Sequence, residues 1–220
     1  TDDCGNSTVA SQVITVKDTK APHVAVPAAN LTVECDGSGN TADLNAWLSS
    51  NGGAIATDNC GQVSWSNNFT SLSDNCGLTG SATVIFTASD ECGNRKTTSA
   101  TFTIVDTNAP EFTTTPSDLT VECDGNGNTA ALENWLNNVA AADQCGEVTI
   151  SNNFQSLSDL CGSTGSAMVT WTATDACGNT ATASATFTIE DTNAPEFTTT
   201  PADLTVECDG NGNTAALENW

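Results

Sequence analysis

The chain has 220 residues and carries 27 acidic against 4 basic side chains, a formal net charge of −23 at pH 7. Nucleic-acid binding rests on Lys and Arg neutralising phosphates, so this balance excludes nucleic acid as a partner. No apolar run is long enough to span a bilayer, which argues against membrane insertion of this segment.

The first six residues, Thr1-Asp2-Asp3-Cys4-Gly5-Asn6, form a turn signature that returns as Ser89-Asp90-Glu91-Cys92-Gly93-Asn94 and as Thr174-Asp175-Ala176-Cys177-Gly178-Asn179, in steps of 88 and then 85 residues. A period of this size marks a tandem array of small domains. The chain divides into 1–17 (the C-terminal end of one repeat), 18–105 and 106–190 (two complete repeats) and 191–220 (the start of another). Residues 106–135 and 191–220 differ only at Ser117 versus Ala202. Thr1 falls inside a turn and Trp220 in mid-segment, so the polypeptide or its assembly is expected to continue in both directions.

Within a repeat, Asp18-Thr19-Lys20-Ala21-Pro22 (again from Asp106 and Asp191) reads as a linker stiffened by proline. Leu31–Cys35 alternates as the first strand, with Leu31, Val33 and Cys35 inward and Glu34 and Asp36 toward solvent. Asn40 or Thr41 caps a short helix that gathers Leu44, Trp47 and Leu48 on one side. Trp47, Trp135 and Trp220 then plug the sandwich rather than form a ligand platform. The three-residue difference between copies falls between Leu48 and Cys60, which predicts a loop there. Gln62–Ser66 and Glu147–Ser151 form the next strand pair. Ala82, Val84, Phe86 and Ala88 are kept as Ala167, Val169, Trp171 and Ala173 while Ile85 drifts to Thr170, so the first face is core. Ala100, Phe102 and Ile104 match Ala185, Phe187 and Ile189, and the position that runs Lys17, Val105, Glu190 is exposed. Thr-rich strands at this spacing, with Asp-Cys-Gly-Asn turns, give an all-β fold class: tandem immunoglobulin-like β-sandwich repeats, each with a short helix inserted after the first strand.

The segments TDNCG (57–61), GSATVIFTASDECGN (80–94) and TFTIVDTNAP (101–110) together resemble hyalin-repeat-type (HYR-like) modules, in particular the four-cysteine subtype of large bacterial cell-surface and gliding-adhesin proteins. The resemblance covers essentially the whole chain. It implies an immunoglobulin-like fold and a role in surface adhesion or extracellular scaffolding, and it supplies no catalytic residues.

Four cysteines per repeat (Cys35, Cys60, Cys76, Cys92; then Cys123, Cys145, Cys161, Cys177), a single His23 and no Cys-x-x-Cys point to disulfides in an oxidising, extracellular compartment rather than to zinc. Three pairings are open within a repeat. Immunoglobulin-like strand order puts Cys35 and Cys76 at the bottom of the sandwich and Cys60 and Cys92 at the top. That favours Cys35–Cys76 with Cys60–Cys92, and equivalently Cys123–Cys161 with Cys145–Cys177.

Residues 97–220 hold seventeen carboxylates and no Lys or Arg, so the acidic groups are either spread over a solvated surface or neutralised by cations. Two constellations offer the hard oxygens that Ca2+ takes. At the repeat junctions, Asp18, Asp106 and Asp191, with Asn108, are expected to meet Asp58 and Asp90, or Asp143 and Asp175, from the turns of the following repeat. The run from Asp106 to Phe112 looks like the calcium-binding linker of cadherins but lacks that motif's second Asp. The second constellation is the loop bearing Asp36, or Asp124, Asn126 and Asn128, which matches the first positions of an EF-hand and fails at the twelfth, Trp135. The competing reading for each Asp is a plain Asx turn beside Gly and Cys.

No histidine occurs in 106–190 and the Ser and Thr residues alternate on exposed faces with no base in reach, so catalysis is not expected. The leading reading is a structural stretch of a secreted, cell-surface-attached rod or filament, with neighbouring repeats or identical subunits as partners and Ca2+ at the junctions. Its rival is an adhesin stalk or binding module that recognises glycans or other cells. Near-identity of neighbouring repeats favours a spacer, because a recognition face diversifies.

Overall fold

The computed structural model describes residues 1–219, and within it one series of elements occurs twice. The first series is β1 (His23–Val26), β2 (Leu31–Glu34), α1 (Thr41–Ser49), β3 (Ile55–Thr57), β4 (Ser64–Asn67), β5 (Gly80–Ser89) and β6 (Arg95–Val105). The second is β7 (Glu111–Thr114), β8 (Leu119–Glu122), α2 (Thr129–Asn137), β9 (Ala140–Ala142), β10 (Thr149–Asn152), β11 (Gly165–Thr174) and β12 (Thr180–Glu190). In each series a four-stranded sheet, β2-β6-β5-β4 or β8-β12-β11-β10, accompanies a two-stranded one, β1-β3 or β7-β9. The chain is thus a tandem of immunoglobulin-like β-sandwiches.

The long hairpin β5–β6 supplies the core as its alternation predicts. Val84, Phe86 and Ala88 on β5 and Ala100, Phe102 and Ile104 on β6 are buried, and Val169, Trp171, Ala173, Ala185, Phe187 and Ile189 repeat them on β11–β12. The opposite face is a ladder of hydroxyls, where Thr83 meets Thr101 at 2.9 Å and Thr170 meets Ser184 at 2.8 Å. β2 lies parallel to β6, with Leu31 opposite Phe102 and Glu34 opposite Val105. That register brings the end of β2, and Cys35 after it, to the end of the sandwich where β6 runs into the linker.

The helix follows the second strand, not the first. β1 and β7 are four-residue strands, the former enclosed by Pro22 and Pro27 and the latter by Pro110 and Pro116, too short for alternation to declare them. Trp47 does plug the core: it is buried and packs edge-on against Phe86 at 5.2 Å, and its indole N–H donates to the Ala29 carbonyl at 3.0 Å. Trp135 does the same against Trp171 at 4.8 Å, donating to the Ser117 carbonyl at 2.7 Å. Trp220 lies outside the described residues.

The segment between Leu48 and Cys60 is not simply a loop, since it contains β3, which pairs with β1. Its three extra residues are Asn51, Gly52 and Gly53, a 3-10 turn. Gly52 is buried at φ 64°, and a methyl group there would press on Phe86 and Trp47 at 3.2 and 3.4 Å. The second sandwich lacks this turn and carries the larger Trp171 where the first has Phe86. Its ring is equally buried, with the indole N–H donating to the Leu136 carbonyl at the end of α2. The extra turn and the smaller ring therefore compensate each other.

Candidate functional site at the sandwich junction

The junction is built from the lower end of one sandwich, the linker that leaves it, and the upper turns of the next. Glu34, the last residue of β2, holds the linker. Its carboxylate accepts from the Thr107 N–H at 2.6 Å, the Thr107 hydroxyl at 3.0 Å and the Asn108 side-chain amide at 3.2 Å. Glu122 repeats this on Thr192 and Asn193 at 2.8 to 2.9 Å, and these bonds, the Thr192 N–H foremost, hold its carboxyl below the usual range. From the other side, Asn179 in the β11–β12 turn donates to the Asp106 carbonyl at 3.1 Å. The linker is thus gripped by both sandwiches. Glu34 reads from alternation as a solvent-side residue, because alternation reports facing within one sheet and not contact with a chain segment more than 70 residues away.

Two disulfides close the junction. Cys35 joins Cys145 and Cys76 joins Cys177, with Cα atoms 6.1 and 5.0 Å apart. This corrects the expected pairings of Cys35 with Cys76 and of Cys145 with Cys177, and Cys60 and Cys92, likewise Cys123 and Cys161, are unbonded. The expected ends were right: Cys35 and Cys76 share the lower end and Cys145 and Cys177 the upper. In a stack, however, the lower end of one sandwich abuts the upper end of the next, and each cysteine bonds across that boundary. Close packing accompanies the bonds. The Leu78 N–H donates to the Cys145 carbonyl at 2.8 Å and the Gln144 amide donates to the Asp36 carbonyl at 2.9 Å. A side chain at Gly77 would collide with the Cys145 carbonyl oxygen, and one at Gly37 would strike Gln144.

The junction carboxylates divide into two kinds. Asp106 and Asp143 offer oxygens within 4.8 Å of each other and of the Cys145 sulfur, and Asp18, Asp58 and Cys60 form the same group on the first sandwich. One cleft takes in Asp106, Asn108, Glu111 and Asp143. Burial, reinforced by the negative charges of Asp143, Asp175 and Glu34, pushes the Asp106 carboxyl above its ordinary range. One Asp18 oxygen, Oδ2, is buried without a hydrogen-bond partner. The Cys145 sulfur is committed to its disulfide and has no thiolate to give a metal.

Asp90 and Asp175 are instead engaged in their own turns. Asp175 accepts from the N–H groups of Cys177 and Asn179 and from the Asn179 side chain at 2.8 to 2.9 Å, and Asp90 holds Asn94 likewise. Asp191 is exposed and accepts from the Asn193 N–H at 3.1 Å.

The Gly-rich loops are closed on themselves. Asp36 accepts from the N–H groups of Ser38 and Asn40 at 2.7 and 2.9 Å, and Asp124 from those of Asn126 and Asn128 at 2.7 and 3.0 Å. These bonds lower both carboxyls, with the Asn40 N–H leading for Asp36 and the Asn126 N–H for Asp124. Asn40 stands before α1 in the left-handed conformation, φ 49°, and makes no side-chain cap. Its amide is spent on the Glu34 carbonyl and its oxygen on the Asp36 N–H, so the residue is a buried clasp between strand and helix.

No family model matches the chain, and no curated protein matches it. Solved structures do, and the following three match at low identity. Drosophila N-cadherin EC1-4 is 12% identical with a TM-score of 0.33, covering 78% of this chain and 50% of that one. The human desmocollin-1 ectodomain is 12% identical at 0.29, covering 79% and 42%. A chimeric titin Z1Z2 tandem is 14% identical at 0.23, covering 77% and 99%. The chain thus spans about half the length of the cadherin structures it resembles.

Proposed function

We propose that this chain is a structural stretch of an extracellular rod or filament, made of sandwich units 18–105 and 106–190 stacked end to end. The observation that carries this reading is the doubly disulfide-bonded junction, which ties consecutive sandwiches at two separated points and clamps the linker through Glu34. Two covalent ties at different places on one interface oppose both bending and twisting, as a spacer requires and a mobile recognition module does not. Disulfides persist in oxidising surroundings, which supports a location outside the cytosol. Among the described residues no helix is long and apolar enough to cross a membrane.

In this reading Ca2+ sits at the junction, held by Asp106, Asn108 and Asp143, and by Asp18 with Asp58 one unit earlier. A divalent cation there offsets the charges that push Asp106 upward and gives the Asp18 oxygen a partner. The Asp36 and Asp124 loops, already satisfied by their own N–H groups, are turns. This reading assigns the chain no enzymatic role.

The test is calorimetric titration of the chain with CaCl2, alongside the D106N/D143N variant. A stoichiometry that falls by one site in the variant, with the Asp18–Asp58 site left, supports the cation site at Asp106; identical heats for the two chains remove it and leave the rod reading to stand on the disulfides. Glycan-array binding by the two-sandwich chain would instead favour the adhesin reading.

A further inference from the structure

The two disulfides of the junction sit in unlike surroundings. Cys35 and Cys145 are 5% and 2% exposed and belong to the core cluster of the first sandwich, together with Leu44, Trp47 and Phe102. Their backbones are pinned: the Cys35 N–H donates to the Val105 carbonyl at 2.8 Å and the Cys145 N–H to the Asp143 carboxylate at 2.7 Å. Carboxylate oxygens of Asp106 and Asp143 lie within 4.8 Å of the Cys145 sulfur. Cys76 and Cys177, by contrast, are only half-buried, and their chain neighbours Asn75, Gly77, Ala176 and Gly178 are exposed. The Asp175 carboxylate beside them is occupied by the Cys177 and Asn179 N–H groups and by the Asn179 side chain. Groups that suit the reduced form are already in place. The Cys177 sulfur lies 3.3 Å from the Cys76 carbonyl oxygen, and the Cys76 sulfur lies 3.3 Å from the Thr79 hydroxyl.

We infer that the junction disulfides are ranked: Cys76–Cys177 is the bond that a small thiol opens and Cys35–Cys145 the one that persists, so a reductant turns a doubly tied joint into a hinge at Cys35–Cys145. Exchange requires a thiolate to reach one sulfur and the other sulfur to leave as a thiolate. Core packing around Cys35 and Cys145 bars the approach, and the Asp106 and Asp143 charges repel an anionic attacker. At the other bond the thiolate of reduced glutathione attacks the Cys177 sulfur. Cys76 leaves as a thiolate that the Thr79 hydroxyl receives, and it then takes up a proton. A second glutathione thiolate attacks the glutathione sulfur of the mixed disulfide, releasing Cys177 and oxidised glutathione. Two electrons thus pass from two glutathiones to the bond, and their two protons end on the two cysteines. The Cys177 thiol is placed to donate to the Cys76 carbonyl. The inference rests on the rod reading and gives the rod joints that a thiol loosens without parting the units.

The test uses the 220-residue chain with C4S, C60S, C92S, C123S, C161S and C208S, so that only the junction cysteines remain. It is incubated with reduced glutathione, sampled into iodoacetamide over time, and each cysteine is followed by peptide mapping. Cys76 and Cys177 are expected to be alkylated several-fold faster than Cys35 and Cys145 in the folded chain, and all four at similar rates in concentrated urea. Equal rates in the folded chain, the reverse order, or a preference that persists in urea would overturn the ranking. The parent chain, its free thiols capped with N-ethylmaleimide before reduction, is expected to show the same order and decides the matter if the substituted chain does not fold. The hinge has its own readout. C76S/C177S is expected to keep Cys35–Cys145 and to broaden the distance distribution from small-angle scattering, and a distribution equal to that of the parent would overturn the hinge. If both bonds are present before reduction but open alike, this inference falls and the rod reading stands; if neither is present, the rod reading falls.

Discussion

Glu122 and Asp106 stand within one junction design and respond to pH with opposite signs. Glu122 is held low by the Thr192 N–H first, then by the Thr192 hydroxyl and Asn193. A depressed folded-state value means that the ionised group stabilises: its contribution is complete above the ordinary carboxylate range and is lost as pH falls through the folded value. Hydrogen exchange of the Thr192 amide, corrected for intrinsic rate, is therefore expected to be protected at neutral pH and to lose that protection only once pH has fallen below the ordinary carboxylate range and through the depressed folded-state value. E122A, which removes the acceptor, should lack protection throughout; a parent chain equally protected at neutral pH and after full protonation of its carboxylates would refute the clamp. Asp106 is raised by burial and by neighbouring carboxylates, so its ionisation opposes folding and acid relieves the strain. Gly77 makes a sharper test of the interface. It sits at φ 55° and a methyl group would meet the Cys145 carbonyl oxygen. Gly77→Ala costs about 1–2 kcal/mol for the left-handed backbone and about 1–3 kcal/mol for overpacking. Gly162→Ala, with nothing nearby to strike, pays only the first. Thermal unfolding of the two variants checks this, and equal shifts would show the junction packing to be loose.

At the scale of elements, the extra turn and the core ring form a coupled pair. Trp171→Phe leaves a hole beside Trp135 and is expected to cost about 1–3 kcal/mol. Phe86→Trp drives an indole against Gly52 and costs a similar amount, about 1–3 kcal/mol. Deleting 51–53 together with Phe86→Trp is expected to recover most of that loss. Each kcal/mol is worth roughly 4–8 °C in a domain of this size, so a melting-temperature cycle resolves the coupling, and strict additivity would disprove it. The elements that comparison of copies revealed are those with long periods of alternation. β5 and β6 show their faces because Phe86 and Trp171 vary in size but not in character while Ile85 becomes Thr170. β1 and β3 stayed hidden: four residues between prolines, and three inside a length difference, are too few for a period. The Asn40 clasp was hidden for another reason, since an Asn before a helix has the same sequence signature whether it caps the helix or turns away from it.

At the scale of the whole chain, the positions of the cysteines were legible and their partners were not. Pairing within a repeat and pairing between repeats place the same four cysteines in each unit, so neither count nor spacing separates them. Only the contact between the lower end of one sandwich and the upper end of the next does. The same holds for Glu34, whose partners lie 73 and 74 residues away. Connectivity across the boundary has a mechanical consequence. The disulfides span 110 and 101 residues, and a bond closing about 100 residues removes up to about 4.7 kcal/mol of unfolded-chain freedom in the loop-entropy picture. Because both bonds run between sandwiches and neither lies within one, reduction should free the units from each other while leaving each core folded around its own tryptophan plug. Small-angle scattering with and without a phosphine reductant is the measurement. The oxidised chain should scatter as a single stiff body, and the reduced chain should show a broadened distance distribution typical of two linked beads, with tryptophan fluorescence unchanged. An unchanged distribution after complete reduction would mean that the Glu34 clamp and the interface glycines hold the rod straight by themselves. Repeating the measurement with Glu34→Ala under oxidising conditions then assigns the stiffness: if the disulfides dominate, the oxidised variant keeps the distribution of the parent chain.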